Sequence, residues 1–200
     1  MRLFRLLCLG LAPVAFAGAT TVRPPSFAEL VDGSALVFRG RVTAVESRWS
    51  GNGAQRHLAT WVTFAVERTL KGEAAGAITL EFMGGERDGQ RLEIAGMPRF
   101  VPDERGVFFL ERRDGQMCPL RRLRHGRYRV VAAGPVSVER VARDDHTPLR
   151  EPGGVQVPLA ESGSARPDDA AMAAAMTLPD FERAIIEHVQ QGPTDRTAVP

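Results

Sequence analysis

The chain has 200 residues and a mass of 21.8 kDa, with 44% hydrophobic and 25% charged residues, a composition typical of a globular domain and not of a disordered or fibrous chain. Its 26 basic and 24 acidic residues give a net charge of only +2. This balance disfavours bulk nucleic acid or an anionic membrane as the main partner. We therefore expect one domain, two at most, and no nucleic-acid partner.

The N-terminus has the layout of a secretory signal peptide. Arg2 and Arg5 precede a short apolar run that ends in the small-residue pattern Ala15-Phe16-Ala17. The run has about 11 residues, well short of the roughly 20 that cross a bilayer as a helix. We predict a signal peptide over residues 1–17, cleaved after Ala17 or otherwise after Ala19, and an extracytoplasmic location, periplasmic or secreted. No stable membrane insertion is expected after cleavage.

Cleavage would leave a mature chain of balanced charge with a single cysteine. It would remove two of the 26 basic residues together with Cys8, leaving 24 basic against 24 acidic side chains. The remaining Cys118 has no intrachain partner, so the fold must rely on a hydrophobic core instead of disulfides. A free cysteine of this kind is most often a buried, small apolar residue, and a reactive or intermolecular thiol is the alternative.

The first elements after the leader are a short helix and a strand. Ser26 is a suitable N-cap, and Glu29 three residues later can bond back to it, which predicts a short N-terminal helix ending near Gly33. From Ala35 to Ala44 the apolar periodicity changes to two, which predicts a half-buried strand.

The following hundred residues are predicted to form short strands separated by turns. The Gly51-Asn52-Gly53 segment turns the chain into a second strand at 60–70. Two Asp-Gly pairs, at 88–89 and 114–115, are favoured hairpin tips. Strands spaced by about ten residues indicate an antiparallel barrel or sandwich. Further strands are predicted at 77–82, 91–95, 107–111, 116–122, 128–132 and 136–141.

The last third divides into a polar segment and a helix. Residues 142–176 are rich in Pro, Gly, Asp and Ala, which indicates a linker or loosely packed excursion, with a candidate strand at 155–159. Thr177 and Pro179 mark the start of a C-terminal amphipathic helix over 177–191, whose apolar stripe is expected to pack against the barrel. The predicted β-barrel domain spans 18–141.

The common catalytic motifs are absent from the sequence. It contains neither Gly-x-Ser-x-Gly nor His-Glu-x-x-His, and Gly51-x-Gly53 precedes a strand instead of opening a helix as a dinucleotide loop does. We therefore assign no catalytic residue, metal or cofactor. One alternative stays open: an enzyme whose site is assembled from dispersed residues such as His57, His125 and carboxylates.

The strongest local charge bias is basic. Planar guanidinium groups on neighbouring strands could hold a carboxylate or sulfate ligand. The competing explanation is compositional, because 25 of the 26 basic residues are arginine and the solvent face of any strand would then carry arginine. The candidate residues for an anionic ligand are Arg121, Arg122, Arg124, Arg127 and Arg129.

Four segments carry a resemblance to a known family. They are Phe27-Ala28-Glu29-Leu30-Val31, the strand at 35–42, the strand and turn at 62–72, and the segment at 100–110 that contains Val107-Phe108-Phe109-Leu110. Together they resemble netrin-like domains of the tissue-inhibitor-of-metalloproteinase type. The whole chain is similar to a group of uncharacterised exported bacterial proteins, some of which occur near matrixin-like peptidases.

The resemblance implies a scaffold more than an activity. It implies a five-stranded, partly open barrel of the OB type with an extra helix, a scaffold used mostly for binding. The inhibitors of that family bind the catalytic zinc through an N-terminal cysteine, whereas this mature chain would begin near Gly18 and have no cysteine before Cys118. We therefore expect a non-enzymatic, exported binding module that contacts a secreted peptidase, another extracytoplasmic protein or a surface polymer by a different mode.

Overall fold

A computed structural model of the protein describes residues 24–111, 117–134, 136–152 and 169–192. The predicted signal peptide with its cleavage sites at Ala17 and Ala19, the Asp114-Gly115 turn and the candidate strand at 155–159 lie outside the described residues. Short 3-10 turns occur at Gly53–Gln55 and Leu123–Gly126. The elements, in chain order, are α1 (Phe27–Gly33), β1 (Leu36–Ser50), β2 (His57–Lys71), β3 (Ala77–Met83), β4 (Gly85–Arg87), β5 (Gln90–Leu92), β6 (Arg105–Leu110), β7 (Arg127–Ala133), β8 (Val138–Arg143), α2 (Asp169–Ala173) and α3 (Leu178–Gln191).

The described strands are antiparallel and form one large sheet and one small ribbon. Six strands lie in the order β3-β2-β1-β6-β7-β8, and β4 pairs with β5 in a separate hairpin. The hairpin turns at Asp88 and Gly89, both with positive φ, as the Asp-Gly pair predicts. The predicted mostly β, antiparallel class with a short N-terminal and a C-terminal helix is confirmed.

The two longest strands, β1 and β2, extend beyond their predicted limits. Each has 15 residues, and they remain paired to the end, where Ser50 faces His57. β6 covers β1 only between Leu36 and Arg41. The pairing of β1 with β2 shifts between Val42 and Ala44, and such bulges bend a strand and increase its twist. The far half of β1 therefore leaves β6 and continues with β2 alone.

Two predicted strands differ from the structure. The segment 91–95 forms only β5, which ends at Leu92, so that the following loop can fold back over the end of the sheet. The described part of 116–122 makes a single bridge, Leu120 with Leu110, and no strand. Pro119 lacks a backbone donor, and Arg122 has a positive φ of 54° that ends extended geometry.

The large sheet has a hydrophobic core on each of its faces. α1 and α3 pack against one face, where Phe181 and Ile185 of the α3 stripe are fully buried, as the helical periodicity predicts. The other face encloses five contacting phenylalanines. Burying such a side chain contributes about 1.5–3 kcal/mol. The five are Phe38, Phe64, Phe82, Phe100 and Phe108.

Specific polar contacts fix both helices that cover the sheet. Ser26 and Glu29 form the predicted capping box of α1. The N-cap of α3 is Thr177, whose hydroxyl accepts from the backbone N–H of Asp180. One turn later, the buried carboxylate of Glu182 contacts Arg39 at 2.8 Å, which ties α3 to β1.

The described ends of the predicted linker are packed. Ala142 belongs to β8 and is fully buried, and Met172 of α2 packs near it in a small cluster. Leu149 donates its backbone N–H to the carbonyl of Val141 at 3.0 Å. Within the ranges that the structure describes, no helix is both long enough and apolar enough to span a membrane.

Candidate functional site

A cleft of about 280 Å³ opens at the end of the sheet where β3 gives way to the β4–β5 hairpin. The hairpin and the loop at 93–100 form its walls. Val45 from β1 and Thr60 from β2 lie on its floor, so the cleft sits directly above the phenylalanine core. Its apolar lining consists of Val45, Phe82, Met83, Leu92, Ile94, Met97, Pro98 and Phe100.

Two consecutive glycines build the hairpin wall of the cleft. Gly84 has a φ of 103°, and a Cβ there would lie 2.9 Å from the carbonyl oxygen of Leu92. Gly85 has a φ of 148°, and a Cβ there would lie 2.6 Å from the hydroxyl of Ser47 and 2.7 Å from that of Thr60. Only glycine permits both the backbone conformation and this close approach. The pair lets the hairpin fold onto the two hydroxyls.

The rim of the cleft carries charges that compensate one another. Glu93 contacts Arg91 at 2.5 Å and also pairs with Arg99. Glu86 lies 4.0 Å from Arg91. All four side chains are more than half exposed, and exposed pairs of this kind contribute little to stability. The rim is therefore polar and balanced in charge, while the interior of the cleft is apolar.

Exposed apolar side chains extend the cleft into a wider surface. Leu92 is 37% exposed at the mouth. Met117 is 46% exposed, and its carbonyl accepts from the backbone N–H of Met83 in the cleft wall at 2.9 Å. Leu123 is 36% exposed and lies close to Gly96 of the wall loop. An apolar surface with a polar rim is typical of a site for another molecule.

The predicted arginine cluster is largely paired with the chain's own carboxylates. The side chain of Asp144 is 4% exposed and contacts Arg124 at 2.5 Å, Arg127 at 3.3 Å and Arg129 at 3.7 Å. Glu104 binds Arg127 and Arg129, each at 2.6 Å. The three guanidinium groups are therefore held in an internal network, and the contacts favour a structural role for them.

The other two arginines of that set lie apart from the network. Arg121 contacts Glu111 at 2.6 Å and packs against Gly33 at the end of α1. Arg122 is exposed, at the residue where the chain adopts positive φ. The structure thus brings three of the five arginines together around carboxylates, and the anion-binding role of the five stays a prediction.

The histidines named for a dispersed active site have separate surroundings. His57 donates from Nδ1 to the carbonyl of Gln55 at 2.9 Å and lies 3.5 Å from Glu81. His125 lies with Arg124 and Asp144 around a space of only about 10 Å³. Burial lowers the pKa of His125 to about 4, and the positive charges of Arg143 and Arg124 act in the same direction. Among the described residues, no contact joins the two histidines.

Neither a metal site nor a reactive thiol is found in the described ranges. These ranges contain no group of three or more His, Cys, Asp or Glu side chains that could hold a metal ion. Cys118 is buried in the phenylalanine core. Burial raises the pKa of its thiol to about 12, so the thiolate that reacts or binds metals is scarce at neutral pH.

The cleft residues were not among the candidates that sequence reasoning named. The sequence candidates were charged and nucleophilic residues, whereas the cleft is built from apolar side chains between residues 45 and 100. One sequence feature could have indicated the cleft, although it was not used to name candidates: the pair Gly84-Gly85 directly after a strand, followed by a hairpin signal at Asp88-Gly89.

Comparison with protein-family models, with curated proteins and with solved structures gave no match to this chain.

Proposed function

We propose that the chain is an exported, non-enzymatic binding module, built on a partly open barrel of the OB type, and that the cleft above the phenylalanine core binds a protein partner. The observation that carries the proposal is the apolar cleft surrounded by exposed Leu92, Met117 and Leu123. A pocket near 300 Å³ is at the lower limit for small-molecule sites. It suits one or two anchoring side chains of a protein better.

Contacts at the open end support the barrel. Leu120 bridges to Leu110 of β6, and three residues earlier the carbonyl of Met117 accepts from Met83 of β3. The segment 117–120 thus links the two edges of the curled part of the sheet around one core. Cys118 and Leu120 share that core with Phe82. This arrangement and the earlier resemblance both favour an OB-type or netrin-like barrel.

Export and the partner class are supported by different observations. The basic start, short apolar run and Ala15-Phe16-Ala17 pattern support export. The resemblance to proteins that occur near matrixin-like peptidases favours a secreted peptidase as the partner. The absence of a cysteine near Gly18 requires a contact mode that differs from zinc chelation by an N-terminal cysteine.

The proposal is tested by comparing the proteins that three immobilised variants of the chain capture from an extract. Wild type, Leu92→Glu and Val136→Glu are immobilised and exposed to the host's extracytoplasmic extract, and retained proteins are identified by mass spectrometry. Val136 is 80% exposed and lies outside the cleft lining, so its variant controls for the added charge. We expect a protein, a peptidase foremost, that binds wild type and Val136→Glu but not Leu92→Glu. Equal retention by all three chains would contradict the proposal.

A further inference from the structure

We infer that the partner binds as an extended segment that adds one strand to the free edge of β1 at residues 45–49, with its apolar side chains in the cleft. This inference rests on the proposed function and specifies its binding mode. It follows from three observations: a strand edge without a paired strand, the direction of its backbone groups, and the position of the cleft beside it.

The edge becomes free where β6 ends. Val42 donates its N–H to the carbonyl of Glu104 at 2.8 Å, and its own carbonyl accepts from Asp103 at 2.9 Å. Asp103 has a φ of 68°, which turns the chain away from β1. Past this point, no strand in the described part of the chain pairs with β1 on that side. The β4–β5 hairpin reaches residues 47–49 only through contacts that involve side chains, such as the bond from Trp49 to Asp88 at 3.4 Å.

The pairing of β2 shows which groups of β1 face this edge. The carbonyl of Leu58 accepts from Gly84, which follows β3, so even-numbered residues at this end of β2 face β3. The odd-numbered residues then face β1. Trp61 is the register partner of Glu46, so the backbone groups of Glu46 point toward β2. Because backbone groups alternate along a strand, those of the neighbouring β1 residues point the other way.

Three residues of β1 therefore present hydrogen-bonding groups to the free edge: Val45, Ser47 and Trp49. A guanidinium marks this direction, because Nη1 of Arg87 donates to the carbonyl of Ser47 at 3.2 Å. The arginine takes the position at which an added strand would donate a backbone N–H. Unpaired edges of this kind are where extended peptides add to sheets.

The cleft lies where the side chains of an added strand would go. Val45 and Ser47 of the edge line the cleft on one side, and residues 97–100 line it on the other. Neighbouring strands place their side chains on the same face at facing positions. A segment paired with this edge would thus place every second side chain on the cleft face of the sheet, beside Val45 and Ser47, which favours apolar residues at alternate positions.

The walls of the cleft favour a single segment over a second copy of the chain. The space beside Val45 is bounded by the loop at 97–100 and the β4–β5 hairpin. A single extended segment fits between these walls, whereas the edge of a second sheet would bring neighbouring strands against the hairpin. The occupant is therefore an extended peptide segment of a partner protein.

The test uses peptides selected on the full chain. A phage library of random heptapeptides is panned on wild type, with depletion on Leu92→Glu, and the best binder is synthesised with single N-methyl groups at each backbone position. We expect N-methylation at alternate residues to weaken binding about tenfold or more, and the intervening positions to change it by less than about threefold. Amide hydrogen exchange at Val45, Ser47 and Trp49 should slow when the peptide is bound.

Three results would overturn the inference. A peptide that needs Leu92 but tolerates N-methylation everywhere would refute strand addition and leave the proposed function standing. A concentration-dependent dimer in which the Val45 and Ser47 amides are protected without peptide would assign the edge to a second copy. The absence of any enriched peptide that depends on Leu92 would also refute strand addition, and the retention experiment would still decide the proposed function.

Discussion

Arg127 and Asp144 form a buried ion pair between the start of β7 and the end of β8, with Nε 3.3 Å from Oδ1 and neither side chain more than 4% exposed. Burial lowers the pKa of Arg127 to about 10, against the opposing effect of the Asp144 charge. Desolvation of such a pair is costly and must be offset by further hydrogen bonds. Arg127 makes two, to Glu104 at 2.6 Å and to the carbonyl of Arg99 at 2.5 Å.

Removing Asp144 should destabilise the protein strongly. In Asp144→Ala, Arg124 and Arg127 lose a buried carboxylate, and removing one partner of a buried ion pair costs about 3–5 kcal/mol. We expect the lower end of this range, because Arg127 keeps its contact with Glu104. Urea unfolding of the variant and of wild type measures this loss. Glu46→Gln is the control, because Glu46 pairs with Arg48 at the surface and should change stability by less than about 1 kcal/mol. Equal effects of the two substitutions would contradict the structural role of the network.

The arginine network shows where sequence reasoning reached its limit. The sequence shows that arginine is dense between residues 121 and 129. The partners of these arginines, Glu104 and Asp144, lie in a loop and at a strand end that are distant in sequence. Which carboxylate reaches which guanidinium is decided by the β6-β7-β8 pairing. A cluster of charged residues in the sequence therefore shows where arginine is dense, but it does not show which of these arginines are buried in the fold.

The elements were more predictable than the site, for physical reasons. Alternating apolar residues and capping signals are local, so the helix at Ser26, the first strands and α3 followed from the sequence. The cleft depends on how the loop at 93–100 folds over Phe82, which is a tertiary property. The end of β1 was also missed, since its mostly polar residues 46–50 are held by pairing with β2 and show no alternating apolar pattern.

Stability should fall between about pH 6.5 and pH 4 because of His125. Its pKa is about 4 in the folded protein and near 6.5 when unfolded, so the unfolded chain binds more protons in this window. The free energy of unfolding then decreases as the pH falls, by about 1–2 kcal/mol once partial solvation of the ring is allowed for. Chemical denaturation at pH 7, 5.5 and 4 measures it.

A matched pair of variants tests whether His125 causes this pH dependence of the free energy of unfolding. His125→Gln should flatten the pH dependence over that window, whereas His57→Gln, which replaces a histidine bonded to Gln55 at the surface, should retain it. A His125→Gln chain with the wild-type slope would show that other groups produce the effect.

Gly85→Ala should destabilise the hairpin wall and weaken binding at the cleft. The added methyl combines a strained φ with contacts of 2.6 and 2.7 Å to the Ser47 and Thr60 hydroxyls. We expect the free energy of unfolding to fall by about 1–3 kcal/mol or more. Gly89→Ala is the control, because Gly89 also has positive φ but faces open space. In thermal unfolding, Gly85→Ala should have a clearly lower Tm than Gly89→Ala. A lower Tm for Gly89→Ala would contradict the described packing.

Cys118 should resist modification in the folded protein. With a pKa raised to about 12, the thiolate fraction at pH 8 is lower than that of a free cysteine by on the order of a thousandfold. In a Cys8→Ser chain, where Cys118 is the one remaining thiol, reaction with a chromogenic disulfide should be very slow until denaturant is added. Rapid labelling without denaturant would show that the thiol is accessible and not part of the core.

The proposed binding surface is the cleft at the open end of the sheet. Hydrogen-exchange mass spectrometry of the full chain, alone and with a protein that it retains, tests this claim most directly. We expect slower exchange in residues 43–49 and 83–101 when the partner is bound, with exchange in α1 and α3 unchanged. Protection confined to the helical face, with exchange at 83–101 unaltered, would contradict it.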